Sequence, residues 1–247
     1  MQPGDEDRSA VPFSAIAGRH LVVEEKVDGA NAAISFAPNG ALQLQSRGHF
    51  LTGGPRERHF GLLKRWAHGL TDHFWCTLGA RYVLYGEWLY AKHTIFYDAL
   101  PHYFLEFDVL DLDTGRFLDT AARRELLSKL PIVSVPVLHE GTLRTLTSLS
   151  DMITRSVFKS PRWRQTLDKC AEEQPHDLDT VRNQTDWSDL MEGLYIKVEE
   201  AGVVVDRLKF VRHDFLTTVV NSKSHWQTRP ILPNLLAPGV TLFDGPS

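Results

Sequence analysis

The sequence predicts an α+β fold with antiparallel sheets. Strand-like segments fill much of the first half, a helical stretch covers residues 146–190, and further strands follow at residues 193–212. Strands interrupted by one helical block, rather than regular strand–helix alternation, favour antiparallel sheets. The 247 residues suffice for one large domain or two small ones.

The first half supplies most of the predicted strands. Residues 1–10, acidic and polar, are expected to form a disordered lead-in. Residues 20–50 predict a β-meander, in which Asn39-Gly40 makes a hairpin turn because both residues tolerate a positive φ. Residues 55–70 carry apolar side chains at near-helical spacing. Residues 81–90 are rich in the aromatic and β-branched residues that are typical of strands.

The second half begins with a strand, an acidic turn and a short return strand over residues 103–118. Asp119 or Thr120 is expected to cap the helix that follows. Residues 146–190 are predicted to be mainly helical, and residues 193–212 to form a hairpin. The turn of that hairpin is Ala201-Gly202.

Composition excludes several classes of protein. The net charge of −4, from 27 basic and 31 acidic residues, argues against a generally basic nucleic-acid-binding surface but allows a local basic cleft. Cys76 and Cys170 lie far apart, so a reducing, cytoplasmic location is expected rather than a disulfide framework. No apolar run approaches the length of a membrane helix.

The stretch Lys26-Val27-Asp28-Gly29 interrupts the predicted strands with a lysine. If the strand continued, Lys26 and Asp28 would share one face, and Gly29 would let a bulky ligand approach the backbone. A lysine amine is a nucleophile only when unprotonated, and burial or neighbouring cations lower its pKa. Taken alone, the stretch is more typical of an ordinary surface lysine before a turn.

Five further segments follow in order along the chain, and together their motifs resemble those of a known family. They are RGHF with Arg47, YGEW with Glu87, FLEFDV with Phe107, MEGLYIKVE with Glu192 and Lys197, and DRLKFVR with Arg207 and Lys209. With EKVDGAN at residues 25–31, this set resembles the RNA ligases of the covalent nucleotidyltransferase superfamily. The likeness is greatest to the phage type that seals nicks in double-stranded RNA.

The resemblance implies a ligase nucleotidyltransferase (adenylyltransferase) domain with flanking helices over residues 11–215, including the helical insertion at about 146–190. The 216–247 segment is then a short C-terminal extension, too short for an OB-fold domain. The RNA-binding mode stays open. A protein partner is one replacement for the missing domain. The insertion, with its basic and aromatic cluster Arg162-Trp163-Arg164 and Lys169, is another.

The resemblance also implies an enzyme, an ATP-dependent RNA ligase acting in RNA repair. Lys26 would attack the α-phosphorus of ATP, release pyrophosphate and carry AMP as a lysyl-AMP phosphoramide. AMP would pass to an RNA 5′-phosphate, and a 3′-hydroxyl would then displace it. Growing negative charge on phosphorus calls for cations and a divalent metal, Mg²⁺ or Mn²⁺.

The resemblance assigns roles to individual residues. Glu87 would bind the ribose hydroxyls, Phe107 would stack on adenine, and Arg47 would hold the ribose or an RNA phosphate. The implied catalytic residues are Lys26, Lys197, Arg207 and Lys209. The implied nucleotide-binding residues are Glu25, Lys26, Asn31, Arg47, Glu87, Phe107, Glu192, Lys197 and Lys209, and the implied metal ligand is Glu192.

Strand periodicity constrains the two closing motifs. Glu192 and Lys197 are an odd number of residues apart, so on one strand they would face opposite sides. Glu192 is therefore expected just before the strand, with Gly193 making the bend. Arg207 and Lys209, two apart, share a face.

Other interpretations remain open. DNA-nick ligation or RNA capping is one, although Asn31 stands where DNA ligases and capping enzymes more often carry arginine. A nucleotide-binding module without turnover is another. Singly, Phe107 is also compatible with a core position and Glu87 with an exposed strand position. Asp108 is expected to anchor the fold beneath the nucleotide, whereas the role of His93 is left open.

Overall fold

The computed structural model describes residues 11–174, 176–222 and 229–243. The predicted lead-in at residues 1–10 lies outside that part. Within it the fold is α+β with a large antiparallel sheet, as predicted. One pair of strands in the sheet is parallel. No described helix is both long and apolar enough to cross a bilayer.

The described strands form one curved sheet. They are β1 His20–Lys26, β2 Ala30–Phe36, β3 Leu42–Ser46, β4 His49–Phe50, β5 Tyr82–Trp88, β6 Phe104–Asp111, β7 Arg116–Leu118, β8 Val133–Ser134, β9 Val137–Thr142, β10 Gly193–Glu200 and β11 Val203–Val211. Their order is β4-β3-β2-β5-β6-β7-β11-β10-β1-β9, and β8 pairs with β6.

Helices pack around the sheet and in the loops. They are α1 Gly61–Gly69, α2 Thr71–Leu78, α3 Thr120–Leu127, α4 Leu146–Ser150, α5 Trp163–Glu172, α6 Leu178–Asn183 and α7 His213–Asn221, with 3₁₀ turns at Phe13–Ala15 and Pro55–Phe60. The helical stretch predicted at residues 146–190 is thus three short helices joined by loops. Helices α2 and α7 and strand β9 were not predicted.

The predicted meander over residues 20–50 is wrong at its first connection. Strand β1 pairs with β10 and β9, whereas β2 pairs with β3 and β5, so five strands separate β1 from β2. In a flat sheet that separation would be about 29 Å, at about 4.8 Å per strand. The three residues that join β1 to β2 reach about 14 Å at most. The sheet must therefore curl until β1 and β2 approach each other.

Each half of the curled sheet has its own core. One cluster combines β2, β5 and β6 with α1 and α2, and includes Trp66, Phe74 and Phe104. A second combines β1 and β10, including Leu21 and Ile196. Phe210 and Leu208 of β11 pack against this second cluster. Arg207 and Lys209 are then left on the opposite face, as strand periodicity predicts.

A third cluster lies in the helical insertion and corrects one interpretation. Trp163 is fully buried there, against Phe96 and Leu167, and its Nε1 donates to Asp189 at 2.7 Å. The guanidinium of Arg164 lies over the Trp163 ring, 4.5 Å from its centroid. Trp163 is therefore a core residue, and its ring is not available to stack on RNA.

Local signals in the sequence predict the turns and one cap correctly. Gly40, between β2 and β3, has φ 79°, and Ala201 and Gly202 between β10 and β11 have φ 51° and 83°. Two positive φ values in a two-residue loop match the twist of a hairpin. The Asp119 side chain accepts a hydrogen bond from Ala122 N at 2.8 Å and so caps α3.

The C-terminal segment is tied into the core. Asn234 is fully buried, its side chain donating to the Leu89 carbonyl at 2.7 Å and accepting from Tyr97 N at 2.9 Å. Its backbone N donates to the Tyr90 carbonyl. Because Leu89, Tyr90 and Tyr97 all follow β5, this segment fixes the chain that leaves β5.

Replacing Gly193 by alanine tests the closeness of β10 and β11. A Cβ at Gly193 would lie 2.2 Å from the carbonyl oxygen of Phe210, so the strands must separate. We expect a loss of about 1–3 kcal/mol in the free energy of unfolding, measured by urea denaturation. Gly61→Ala, in open space on α1, is the control and should cost nothing. Equal stability of the two variants would contradict the packing.

Candidate active site

The amine of Lys26 lies where the sheet closes. Lys26 is the last residue of β1, and its Nζ donates to Glu192 Oε2 at 2.7 Å. Glu192 immediately precedes β10, whose first residue Gly193 pairs with Lys26. The prediction that Glu192 lies outside the strand is confirmed, and this placement aims its carboxylate at the amine.

The charge around Lys26 is opposite to the expected one. Burial lowers the pKa of Lys26, but Glu192, Glu87 and Asp28 raise it, and the net pKa is raised. The expectation that neighbouring cations lower its pKa is therefore wrong for the free protein. The amine rests as an ammonium among carboxylates. It becomes a nucleophile only when it gives up its proton, which neutralisation of the carboxylate charge would favour.

Two of these carboxylates are poised to hold protons near neutral pH. Burial raises the pKa of Glu192 to about 7, with Lys26 acting in the opposite direction. Burial likewise raises the pKa of Glu87 to about 7, against the charges of Lys26, Arg47 and Lys209. Five charged residues that are distant in the chain thus interact electrostatically at this site. They are Lys26, Arg47, Glu87, Glu192 and Lys209.

Asp28 serves as an anchor for the chain that follows β5. Its Oδ2 accepts from Thr94 N at 2.6 Å and from Ile95 N at 2.7 Å, and its own N donates to the Tyr97 hydroxyl. His93 Nδ1 lies 4.0 Å from Asp28 Oδ1. Because β1 ends at Lys26, the alternation of faces assumed for Lys26 and Asp28 does not extend to Asp28.

Gly29 has a packing role that the sequence analysis did not anticipate. A Cβ there would lie 2.7 Å from Leu89 Cδ2, 2.8 Å from the Trp88 carbonyl and 2.9 Å from Glu87 Cγ. The glycine is needed because β5 passes close by. The same approach holds Glu87 beside Lys26.

Asn31 and Arg47 border the site from β2 and β3. Asn31 is opposite Glu87 in the β2–β5 register, and its carbonyl accepts from Ser46 Oγ at 2.8 Å. Arg47 follows β3 with φ 37° and an exposed side chain. A non-glycine residue with positive φ is uncommon, and here it places a cation at the rim of the site.

Lys197 lies in a second, fully buried charge cluster. Its Nζ donates to Glu24 Oε1 at 3.1 Å and to the Phe107 carbonyl, and it lies 3.2 Å from Asp108 Oδ1. An ammonium has three N–H groups, and these three partners enclose it, leaving the side chain 1% exposed. In the free protein Lys197 therefore belongs to the core between β1, β6 and β10.

Asp108 connects this cluster to β11. Its Oδ2 accepts from the Tyr195 hydroxyl at 2.8 Å and from Arg207 Nη1 at 3.1 Å. The Arg207 guanidinium stacks on the Phe117 ring, 3.6 Å from its centroid. The fully buried Asp108 thus fits the expected anchoring role, and it fixes which way Arg207 faces. The exposed Lys209, two residues on, lies across from Tyr195 in the strand register.

Phe107 and Glu25 flank these clusters. Phe107 is half-buried, and its ring meets the Tyr195 ring edge-on with 5.5 Å between the ring centroids. Glu25 is buried and its Oε1 accepts from Ser156 Oγ at 2.5 Å. Burial raises the pKa of Glu25 to about 7, although the Ser156 hydrogen bond opposes this. Ser156 joins the helical insertion to β1.

Arg123 is a buried cation that the sequence analysis did not identify. Its side chain is fully buried, with Nη2 donating to Glu24 at 2.7 Å and Nη1 to Glu106 at 2.9 Å. It shares the buried face of α3 with Thr120 and Leu127. This helical spacing could have identified Arg123 as buried from the sequence. An arginine on the core-facing side of a helix needs buried acidic partners.

The donors around Lys26 suit a divalent metal that also binds phosphate. Glu87 and Glu192 offer carboxylate oxygens, and Mg²⁺ is usually held by one or two carboxylates together with substrate phosphates. Among the described residues, no group of three or more His, Cys, Asp or Glu side chains could hold a metal ion. The two carboxylates of Glu87 and Glu192 are the donors that this site itself offers to such an ion.

Comparisons with known proteins identify a family and a shared fold. A family model described as RNA ligase matches residues 19–211. No match was found among the curated proteins. A Naegleria gruberi RNA ligase mutant solved with ATP and Mn superposes with a TM-score of 0.54 at 16% identity, covering 85% of this chain and 54% of that one.

Two further Naegleria gruberi structures show the same fold. A mutant with AMP and Mn gives a TM-score of 0.52 at 16% identity and covers 83% of this chain and 53% of that one. The ligase with PPi gives 0.53 at 16% identity, covering 88% and 58%. The chain thus spans little more than half the length of these ligases.

Replacing Arg123 by methionine tests the buried cluster. The change leaves Glu24 and Glu106 buried without that cation, so we expect a loss of about 3–5 kcal/mol in the free energy of unfolding in urea at pH 7. The neighbouring Arg124 is exposed on the same helix, and Arg124→Met should change stability by less than about 0.5 kcal/mol. A similar effect of both substitutions would refute the cluster's role in stability.

Proposed function

Because the chain belongs to the RNA ligase family, we propose that it is an ATP-dependent RNA ligase that joins 5′-phosphate and 3′-hydroxyl RNA ends through a lysyl-AMP intermediate. The observation that carries the proposal is the Lys26 amine, held 2.7 Å from Glu192 and electrostatically coupled to Glu87, on which Arg47 and Lys209 also act. The complexes of the Naegleria ligase with ATP, AMP and PPi support it.

The first step forms a bond between Lys26 Nζ and the α-phosphorus of ATP and breaks the bond to pyrophosphate. Lys26 must lose a proton before or during this attack. Glu192 is the acceptor in contact, and its pKa of about 7 suits a base near neutral pH. Alternatively, a Mg²⁺ or Mn²⁺ ion at Glu192 would neutralise the carboxylate charge that raises the pKa of Lys26, and it would polarise the phosphate oxygens.

The remaining residues position the nucleotide and stabilise charge. Glu87 would accept hydrogen bonds from the ribose hydroxyls, and the Phe107 ring would stack on the adenine. Lys209 and Arg47, which are exposed and whose charges act on Glu87, would contact the phosphates. The nucleotide-binding assignments of Glu25 and Asn31 stay part of the proposal, because both border Lys26 or Glu87.

The enclosed state of Lys197 bears on its proposed role. All three partners of its ammonium are protein groups, so a phosphate contact requires Lys197 to exchange one of them. Arg207, with more than a third of its side chain exposed, needs no such exchange. We assign the contacts that stabilise negative charge on the phosphate to Lys209 and Arg207. Lys197 would join them only after nucleotide binding has replaced one of its protein partners.

In the second step AMP passes from Lys26 to an RNA 5′-phosphate, which forms a new phosphoanhydride and releases the amine. In the third step a 3′-hydroxyl attacks that 5′-phosphorus and AMP leaves. The nick-sealing preference implied by the phage-type resemblance and a role in RNA repair belong to this proposal. So does a protein partner that supplies further RNA contacts.

Labelling with α-³²P-ATP and Mg²⁺ or Mn²⁺ tests the proposal. Wild-type protein should acquire label from ATP and not from GTP or NAD. Lys26→Ala should acquire none, because the bond forms at its amine. Lys209→Ala should label about 10²- to 10³-fold more slowly, since one charge-stabilising donor is lost. Lys169→Ala, a change at an exposed lysine on α5, is the control and should label normally.

Each other outcome has a defined meaning. Wild-type labelling by Lys26→Ala would show that the nucleophile is misassigned. Label from GTP would favour a capping enzyme, and no label from any nucleotide would favour a binding module without turnover.

A further inference from the structure

Lys197 lies on the same face of the sheet as the Lys26 amine, although it is buried. In the register of β1 and β10, Lys26 is opposite Gly193, and Lys197 is four residues further along β10. Side chains an even number of residues apart point to one face of a strand. Lys197 is in turn opposite Arg207 of β11, two residues before Lys209. Its ammonium is therefore on the side of the sheet where the nucleotide is proposed to bind.

Both carboxylates that contact Lys197 also contact an arginine. Glu24 Oε1 accepts from Arg123 Nη2 at 2.7 Å and from Lys197 Nζ at 3.1 Å. Asp108 lies 3.2 Å from the Lys197 ammonium through Oδ1, and its Oδ2 accepts from Arg207 Nη1 at 3.1 Å. Either carboxylate would therefore keep one cation if Lys197 moved away.

The same contacts do not allow Arg123 to leave. Its Nη1 donates to Glu106 at 2.9 Å, and the other described partner of that carboxylate is the neutral hydroxyl of Ser134. A buried carboxylate that loses its cation is strongly destabilising. Glu24 is in a different position, because burial raises its pKa and both Lys197 and Arg123 oppose that rise. Lys197 is thus the cation that the cluster can release.

Helix α3 fixes the place of Arg123. Thr120, the first residue of the helix, donates from its N at 2.9 Å and from its Oγ1 at 2.6 Å to Glu199 Oε1 of β10. The helix is thus bonded to the strand that carries Lys197. The Arg123 side chain is fully buried, so any effect on a nucleotide would pass through the carboxylates that it contacts.

We infer that Arg123 is a positioning residue of the proposed transfer reaction: it keeps Glu24 paired while Lys197 exchanges Glu24 for a phosphate oxygen of the bound nucleotide. This inference rests on the proposed function. The exchange replaces one hydrogen bond of the ammonium by another and changes no covalent bond. Without Arg123, Glu24 would have Lys197 as its cation and would retain it in the core. Arg123 lies outside every motif that carries the resemblance to RNA ligases.

The first test measures labelling by α-³²P-ATP at several ATP concentrations, using the full chain at a temperature where circular dichroism shows each variant to be folded. Arg123→Met should label about 10- to 100-fold more slowly at saturating ATP, the effect of one hydrogen bond to a charged group. The ATP concentration that gives half the maximal rate should stay within about threefold, because the exchange follows binding. Glu106→Gln, at the other partner of the guanidinium, is the control and should label within about twofold of wild type.

Paired substitutions separate positioning from stability. Arg123→Met/Lys197→Met should label no more slowly than Lys197→Met, because Arg123 acts through Lys197. Arg123→Met/Glu24→Gln should recover most of the labelling, because that carboxylate no longer retains the ammonium. Normal labelling by folded Arg123→Met, losses that multiply in the first pair, or no recovery in the second would overturn the inference.

Nuclear magnetic resonance of the wild type gives a test that does not depend on the folding of Arg123→Met. The ¹⁵N signal of the Lys197 ammonium, assigned by its loss in Lys197→Arg, should shift when Mg²⁺ and α,β-methylene-ATP, which cannot release pyrophosphate, saturate the protein. The Arg123 Nε signal should not shift. An unchanged Lys197 signal would overturn the inference. Absence of ATP labelling in wild type would contradict the proposed function, whereas the Lys197 signal would still test the exchange.

Discussion

The short connection between β1 and β2 is the constraint on which the site depends. Three residues join two strands that five others separate, so the sheet curls and its halves meet at Lys26. The curl sets Glu192, from the start of β10, and Glu87, from β5, on either side of one amine. Gly29 permits this closure, because any side chain there would collide with β5.

The curled sheet encloses two charge clusters of different character. Around Lys26 one ammonium meets three carboxylates, those of Glu192, Glu87 and Asp28. A divalent metal ion, bound together with a nucleotide, would offset this excess of negative charge. Around Lys197 the charges balance: Glu24, Glu106 and Asp108 face Arg123, Lys197 and Arg207. A balanced buried cluster fixes geometry, whereas an unbalanced one is prepared to bind ions. The balanced cluster around Lys197 therefore supports the unbalanced cluster around Lys26 as the reactive site.

Sequence reasoning succeeded where the signal was local or lay in the order of motifs. The turns at Gly40 and Ala201-Gly202, the cap at Asp119 and the placement of Glu192 before its strand all follow from short-range rules. The order of motifs correctly anticipated that Lys26, Glu87 and Glu192 come together. Strand order was missed, because alternation along a strand specifies its faces and not its neighbours.

The other errors share that cause. The sign of the Lys26 pKa shift is a sum over carboxylates that lie far away in the chain, so no local pattern contains it. Trp163 beside two arginines resembles a stacking surface until Phe96 and Leu167 bury it. Arg123 was within reach of helical periodicity, but its partners Glu24 and Glu106 come from two distant strands.

An NMR pH titration of the Lys26 side chain tests the central claim most directly. The signal is assigned by its loss in Lys26→Arg. The account predicts a pKa above the ordinary lysine value of 10.5 in the free protein. It also predicts that Glu192→Gln lowers the pKa of Lys26. Burial lowers that pKa, and in this variant fewer carboxylates oppose the effect of burial. A wild-type pKa below 10.5 that Glu192→Gln leaves unchanged would contradict the account.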